Sequence, residues 1–271
     1  MEGVDLGGVP PQVDTSTAHS ARVYDYWLGG KDNYAADRAL ADAIAGHVPT
    51  IRTMVREQRA FLSRTVRYLA AEAGVRQFLD IGTGIPTVGN VHEVAQAIAP
   101  EARVLYVDND PMVLAHARAF MTSTDVGRTA YIDADLCEPQ DILAHPTLQA
   151  TLDLTQPVGL TLLGILMHLQ ETDDPYRIVN TLMQALPSGS YLALTHPTAD
   201  FNAQAMAGVS GAAEQAGVNY VPRSRVQVER FFAGLELVEP GVVPMLAWRP
   251  DRQPPADPES AYAWVGVARK P

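Results

Sequence analysis

Three aspartates stand at near-equal intervals, each at the end of a short apolar run: Asp80 in RQFLDIG, Asp108 in RVLYVD and Asp135 in RTAYIDADL. The intervals are 28 and 27 residues, one strand, one helix and their connections each. A carboxylate has two acceptor oxygens, so one such group can take both hydroxyl protons of a ribose diol. Asp108 stands where a diol would arrive, and Asp135 where an adenine amino group would. Asp80 precedes the turn Gly82-Thr83-Gly84, whose glycines allow a tight bend and close ligand approach. The plainer alternative is that aspartate is common at strand ends and helix N-caps.

A glycine turn after a first strand also suggests a dinucleotide site, where G-x-G-x-x-G amides receive a pyrophosphate. Here Thr87 takes the third position, and the Asp80 carboxylate would repel a pyrophosphate. That carboxylate suits a ligand bearing an ammonium and a sulfonium, and S-adenosylmethionine bears both. A nicotinamide-dependent oxidoreductase is the weaker rival. Methyl transfer is a displacement at an activated carbon, helped by alignment and needing no protein nucleophile. A general base is needed only for an acceptor that is protonated at working pH.

His196, in LALTHPTAD at the end of a strand, is the base candidate, with a loop histidine as the alternative. His168 reads as a hydrogen-bonded helix-start residue, or else a contact to cofactor or acceptor. His19, His47, His92, His116 and His145 lack metal-ligand spacing and read as solvated. No metal site is expected. Arg223 and Arg225 suit an acidic acceptor, or else the solvated start of a helix capped by Ser224.

Strands alternating with helices must position these groups, which argues for a mostly parallel sheet covered on both faces. Seven strands are countable, and the last two, GLELVEPGVV and AYAWVGVARK, form an antiparallel pair across the proline-rich loop 245–260. The fold class is α/β: a Rossmann-like, doubly wound, seven-stranded, mostly parallel sheet with its last strand antiparallel. Residues 1–74 carry no strand. They read as a mobile tail (1–14) and a helical cap, with helices near 21–30 and 34–45 and a long one from Pro49 to Gly74. The α/β domain, expected to bind S-adenosylmethionine, then spans 75–271. The polar link Gly29–Asn33 has the flexibility of a lid hinge, while Tyr24, Tyr26 and Trp27 are more often core packing.

Residues 78–196 resemble the class I S-adenosylmethionine-dependent methyltransferases in order, spacing and type. FLDIGTG is similar to their glycine motif, YVDNDP to their ribose-binding motif, and YIDADL to their adenine-binding motif. LTLLGILMHLQETDDP is similar to the fourth-strand motif beside the sulfonium and acceptor. ARVYDYWLGGKDNYAADR resembles a bacterial subgroup of unassigned substrate. The resemblance implies that Asp80 orients the methionine amino group over Gly82, Thr83 and Gly84. It implies ribose at Asp108, an adenine pocket of Asn109 and Met112, and an adenine edge read by Asp135 and the Leu136 amide. Leu163 and Gly164 would face the sulfonium, and a cap folded over the ligand would bring Arg22, Tyr26 or Asn33 to its methionine end. Some relatives use a histidine base after the fourth strand; here that position is Met167, with His168 one place later.

The chain is 47% hydrophobic with a net charge of −11 and one cysteine, Cys137. A strongly acidic chain is a poor match for nucleic acid, and a lone cysteine forms no internal disulfide. Without a signal-peptide pattern or an apolar run of about 20 residues, a cytoplasmic protein with a small-molecule O or N acceptor is expected. A non-catalytic S-adenosylmethionine-binding sensor or scaffold is the second reading.

Overall fold

The computed structural model describes residues 14–120, 123–251 and 257–271; nearly all of the predicted tail and residues 252–256 of the proline-rich loop lie outside them. Helices α1 (Ser20–Leu28), α2 (Ala35–His47) and α3 (Ile51–Arg67) come first. Gly29 ends α1 in the left-handed conformation at φ 87°, which glycine adopts cheaply.

Five parallel strands follow: β1 (Gln77–Ile81), β2 (Arg103–Asp108), β3 (Arg128–Asp133), β4 (Gly159–Leu163) and β5 (Tyr191–Pro197). Between them run α4 (Val91–Ile98), α5 (Pro111–Phe120), α6 (Pro139–Ala144), α7 (Pro146–Thr151) and α8 (Pro175–Ala185). After β5 come α9 (Ala203–Gln215), α10 (Arg225–Glu229), β6 (Glu236–Leu237), β7 (Val243–Pro244) and β8 (Ala263–Arg269). The sheet runs β3-β2-β1-β4-β5-β8-β6, with β7 also paired to β8.

Strand β8 is antiparallel to β5, from Tyr191↔Arg269 to Pro197↔Ala263. The expected seventh run is divided: a turn at Pro240-Gly241 splits GLELVEPGVV into β6 and β7, giving eight strands among the described residues. Both short strands line the far side of β8, so β8 is an interior strand rather than half of an edge pair.

Every residue of β1, β4 and β5 is buried, as expected of strands with helices on both faces. Neighbouring residues enter opposite cores. Phe78 joins Phe61, Leu69 and Val267 on one face, and Leu79 joins Ile132, Leu160 and Ile178 on the other. Helices α1–α3 share the first of these cores with the sheet; Phe61 meets Trp248 edge to face at 5.3 Å. Among the described residues, no helix is long and apolar enough to cross a membrane.

The strand order reverses between β1 and β4. In open α/β sheets a crevice forms there, beyond the carboxyl ends of the strands.

Candidate functional site

A crevice of about 570 Å³ opens at that point, walled by the ends of β1–β4, by α1 and α3, and by the link after α9. Its floor is the turn after β1, where Gly82 and Gly84 have φ values of 77° and 67°. A Cβ on Gly82 would come within 2.7 Å of the Ile165 side chain, so glycine is needed for space as well as for conformation. Asp108 holds this turn. Its Oδ2 accepts from the Gly84 amide at 2.8 Å, and its Oδ1 from the Asp110 amide at 3.0 Å. Burial raises the Asp108 pKa against the lowering effect of these bonds.

Asp80 is buried in the crevice wall and accepts from the Thr161 hydroxyl. Burial pushes its pKa up to about 6, although Thr161 and the nearby Arg59 charge oppose the rise. Arg59 comes from α3 and also reaches the crevice. Its Nη2 donates to the Gly89 carbonyl at 2.9 Å, while its Nε is buried without a partner. A buried donor left unpaired costs about 1–3 kcal/mol, and the rest of the guanidinium is anchored at the turn before α4.

Asp135 and Leu136 line the crevice at the end of β3, and Asp135 Oδ1 accepts from the Cys137 amide at 2.8 Å. Asn109 lines it after β2, and Leu163 and Gly164 do so after β4. Gly164 has φ 71°, and a Cβ there would lie 2.5 Å from Gln58 Nε2. The chain then turns through Met167 and His168, both on the wall. Thus Asp80, Gly82, Thr83, Gly84, Asp108, Asn109, Asp135, Leu136, Leu163 and Gly164 meet around one cavity.

Five expected site residues do not. Met112 is buried in a small cluster with Ile85 and Val113, off the crevice wall. Arg22 is buried, and its Nε bonds Asp37 at 3.1 Å. Tyr26 donates to Asp42 at 3.3 Å and lies under the Arg52 guanidinium. Asn33 donates to Asp25 at 2.9 Å. Another side of α1 faces the crevice, through Tyr24 and through Val23 and Trp27, the last two one helical turn apart. The expected hinge is also tied down: Asp25 accepts from the Asp32 amide, and a Cβ on Gly30 would strike its carboxylate at 1.8 Å.

His196 is the main correction. It is fully buried away from the crevice, and its Nε2 accepts from Arg223 Nη1 at 3.0 Å. Burial and the Arg223 charge hold its pKa down to about 3. A neutral imidazole with its lone pair occupied has no substrate to serve. Arg223 is itself buried and is not a solvated helix start, while Arg225 pairs with Glu229 on the surface. His92 is buried against the Tyr106 hydroxyl.

The sequence reading missed Arg59, His19 and the link residues Asn219 and Tyr220. Arg59 left a signal, because it falls in the inward stripe Val55, Arg59, Leu62, Val66, where a charge requires a partner. His19 lies with Nδ1 2.9 Å from Asp110 Oδ2, at the crevice edge. The link left none, because its position depends on a distant hydrogen bond, Val221 N to Met167 O at 2.8 Å.

A parallel 3-2-1-4-5 sheet with an antiparallel last strand, and a crevice ringed by strand-end carboxylates, defines a Rossmann-like methyltransferase fold. The comparisons with known proteins agree. The family model described as S-adenosyl methyltransferase matches residues 7–271, and the chain belongs to that family, whose cofactor is S-adenosylmethionine. A DUF574 family protein from Streptomyces avermitilis MA-4680 is 46% identical, with 96% of this chain and 100% of that chain covered at a TM-score of 0.91. A Thermobifida fusca YX protein described as a candidate methyltransferase is 42% identical, covering 96% of this chain and 98% of that one at a TM-score of 0.88. The N-methyltransferase NodS from Bradyrhizobium japonicum WM9, in complex with S-adenosyl-L-homocysteine, shares the fold at 14% identity. It covers 86% of this chain and 97% of that one, with a TM-score of 0.50. A comparison with curated sequences gave no significant match.

Proposed function

We propose that this chain transfers the methyl group of S-adenosylmethionine to an oxygen or nitrogen of a small-molecule acceptor bound in the same crevice. The observation that carries the reading is the Asp80–Arg59 end of the cavity. A carboxylate and a guanidinium line one space there, matching the ammonium and carboxylate of a methionine unit. Asp108 keeps free lone pairs after its two backbone bonds, and these accept the ribose hydroxyls. Asn109, Leu136 and Asp135 enclose the adenine. The open backbone of Gly82, Thr83 and Gly84 passes under the methionine, and Leu163 and Gly164 flank the sulfur.

The cofactor supplies a methyl group already activated by a positively charged sulfur. The protein's part is to hold that methyl and the acceptor in line and to exclude water, which α1 and the link after α9 do by roofing the crevice. Calorimetry with S-adenosylhomocysteine and with NAD tests the cofactor site. Binding of the first and not the second is expected, and the reverse overturns the reading. Methyl transfer from labelled cofactor to a panel of small hydroxyl and amine compounds tests the reaction. A protein that binds cofactor but methylates nothing in a broad panel would be a sensor or scaffold.

A further inference from the structure

The charges on the crevice wall are segregated. Asp80, Asp108 and Asp135 stand at the ends of β1–β3, and Arg59 joins them from α3, at the cofactor half. Beyond Gly164 the wall is mainly apolar, with Trp27, Leu40, Ile44, Leu62, Met167 and Val218 beside the uncharged polar residues Gln58, Asn219 and Tyr220. The polar atoms of the nearby rings are engaged: the Tyr24 hydroxyl donates to Val55 O at 3.0 Å, and Trp27 Nε1 to Ala41 O at 3.2 Å. An acceptor bearing a full charge would lose its water there and gain no counter-ion. Such burial is strongly unfavourable.

Two imidazoles line the crevice: His19 lies against Asp110, and His168 belongs to this half. His168 Nδ1 lies 2.8 Å from the carbonyl oxygen of Asn219. A carbonyl only accepts, so Nδ1 carries the hydrogen, and the neutral ring's lone pair is on Nε2. Nε2 has no partner among the described residues and is not a buried orphan. Burial holds the His168 pKa below its ordinary value, leaving the ring neutral and able to accept. The titratable groups acting on it are His19 from α1 and His196 from β5. The His168 backbone is fixed from both sides, because Arg223 donates to Leu166 O at 3.0 Å and to Leu169 O at 2.9 Å.

Resting on the methyltransferase reading above, we propose that the acceptor is an uncharged, largely apolar compound bearing a phenol-type hydroxyl, and that His168 Nε2 takes the hydroxyl proton. The O–H bond breaks with its proton on Nε2, and an oxygen lone pair forms the new bond to the methyl carbon. The carbon–sulfur bond breaks with its pair on sulfur. The positive charge thus passes from sulfonium to imidazolium, and the proton then leaves to water at the crevice mouth. Asn219 is a positioning residue, since its carbonyl sets the tautomer.

The test uses the full-length protein saturated with S-adenosylhomocysteine, and 4-nitrophenol as a coloured probe. Imidazole NMR should show Nδ1–H and a bare Nε2 in His168, with Nε2 shifting when the probe binds. The nitrophenolate band should appear at lower pH than in free solution. His168→Gln keeps a donor for the Asn219 carbonyl but cannot take a proton. It should bind the probe while losing the band shift. In His168→Gln, which can form no imidazolium counter-ion, 4-nitrobenzoate should bind at least about tenfold more weakly than neutral 4-nitrophenol. An unshifted Nε2, a His168→Gln variant that retains the band shift, or nitrobenzoate binding equally well would each overturn the proposal. Failure of S-adenosylhomocysteine to bind the native protein would instead remove the reading beneath it.

Discussion

Arg223 donates through Nη1 to His196 Nε2 at 3.0 Å, and both side chains are shut off from solvent. The same guanidinium takes the Leu166 and Leu169 carbonyls and pairs with Glu171 at 3.0 Å. It therefore ties the end of β5 to the turn that carries Met167 and His168. Arg223→Ala would leave two carbonyls and an imidazole unpaired in the interior. A loss of about 3 kcal/mol or more is expected, read by urea denaturation. Arg223→Lys should recover only part, because an ammonium lacks the planar fork. A loss below about 1 kcal/mol would show that the cluster is not a structural tie.

His196 gives the same cluster a pH signature. Its folded pKa of about 3 lies below the ordinary 6.5, so the unfolded chain binds more protons between those values. This contribution to stability is fully present above pH 6.5 and is lost as the pH falls towards 3. His196→Gln should flatten that part of the stability profile. A His196 signal, assigned by its loss in His196→Gln, that titrates near 6.5 in the folded protein would contradict its assignment as a buried acceptor.

What the sequence disclosed and what it hid divide along local and non-local lines. Asp80, Asp108 and Asp135 were legible because strand, turn and helix recur within one βα unit, so spacing fixes their position. The α1–α3 boundaries were legible from glycine and proline punctuation. Which face of α1 meets the crevice was not, because Val23, Tyr24 and Trp27 compete with Arg22 and Tyr26 and only packing against α2, α3 and α9 decides. His196 was misread for a related reason. A strand-end position suggested access, while Arg223, 27 residues later, occupies its lone pair. The split of β6 from β7 reflects tertiary context at Pro240-Gly241.

Asp80 should make ligand binding depend on pH. In the free protein its pKa is about 6 against an ordinary 3.8, so the folded form keeps a proton that the unfolded chain has lost. Its share of the free protein's stability is therefore present below 3.8 and is lost as the pH rises through about 6. A ligand ammonium favours the carboxylate, so affinity for S-adenosylhomocysteine should rise with pH up to about 6 and then level off. Calorimetry across that range should also detect proton release below it. Asp80→Asn should flatten the profile and weaken binding roughly ten- to a hundredfold at neutral pH. A profile unchanged by the substitution would place the ammonium elsewhere.

Asp108→Ala removes the proposed ribose acceptors and frees the Gly84 and Asp110 amides that now bond it. Affinity for S-adenosylhomocysteine should fall about ten- to a hundredfold, with a lower melting temperature in the free protein as well. Asp108→Asn keeps one acceptor oxygen and should be milder in both. Unchanged affinity with lowered stability would limit Asp108 to holding the turn.

The final prediction concerns α1 as a cover. Val23, Tyr24 and Trp27 face the crevice, and His19 at its start lies 2.9 Å from Asp110 Oδ2 at the end of β2. Burial alone would raise the Asp110 pKa, but the neighbouring His19 imidazole, the Met112 amide and the Arg22 charge outweigh burial and hold it below the ordinary value. The His19–Asp110 contact thus fastens α1 across the nucleoside half of the cavity. Asp25 pins the Gly29–Asn33 link, so α1 and α2 should open together as a unit rather than bend between themselves. Ligand contact with α1 makes such opening costlier, and amide exchange over residues 18–47 should slow when S-adenosylhomocysteine is added. His19→Ala should restore faster exchange in α1 and weaken binding, while leaving amides of β4 and β5 protected. Exchange that ignores the ligand, together with full affinity in His19→Ala, would mean that α1 is fixed packing and that access lies elsewhere.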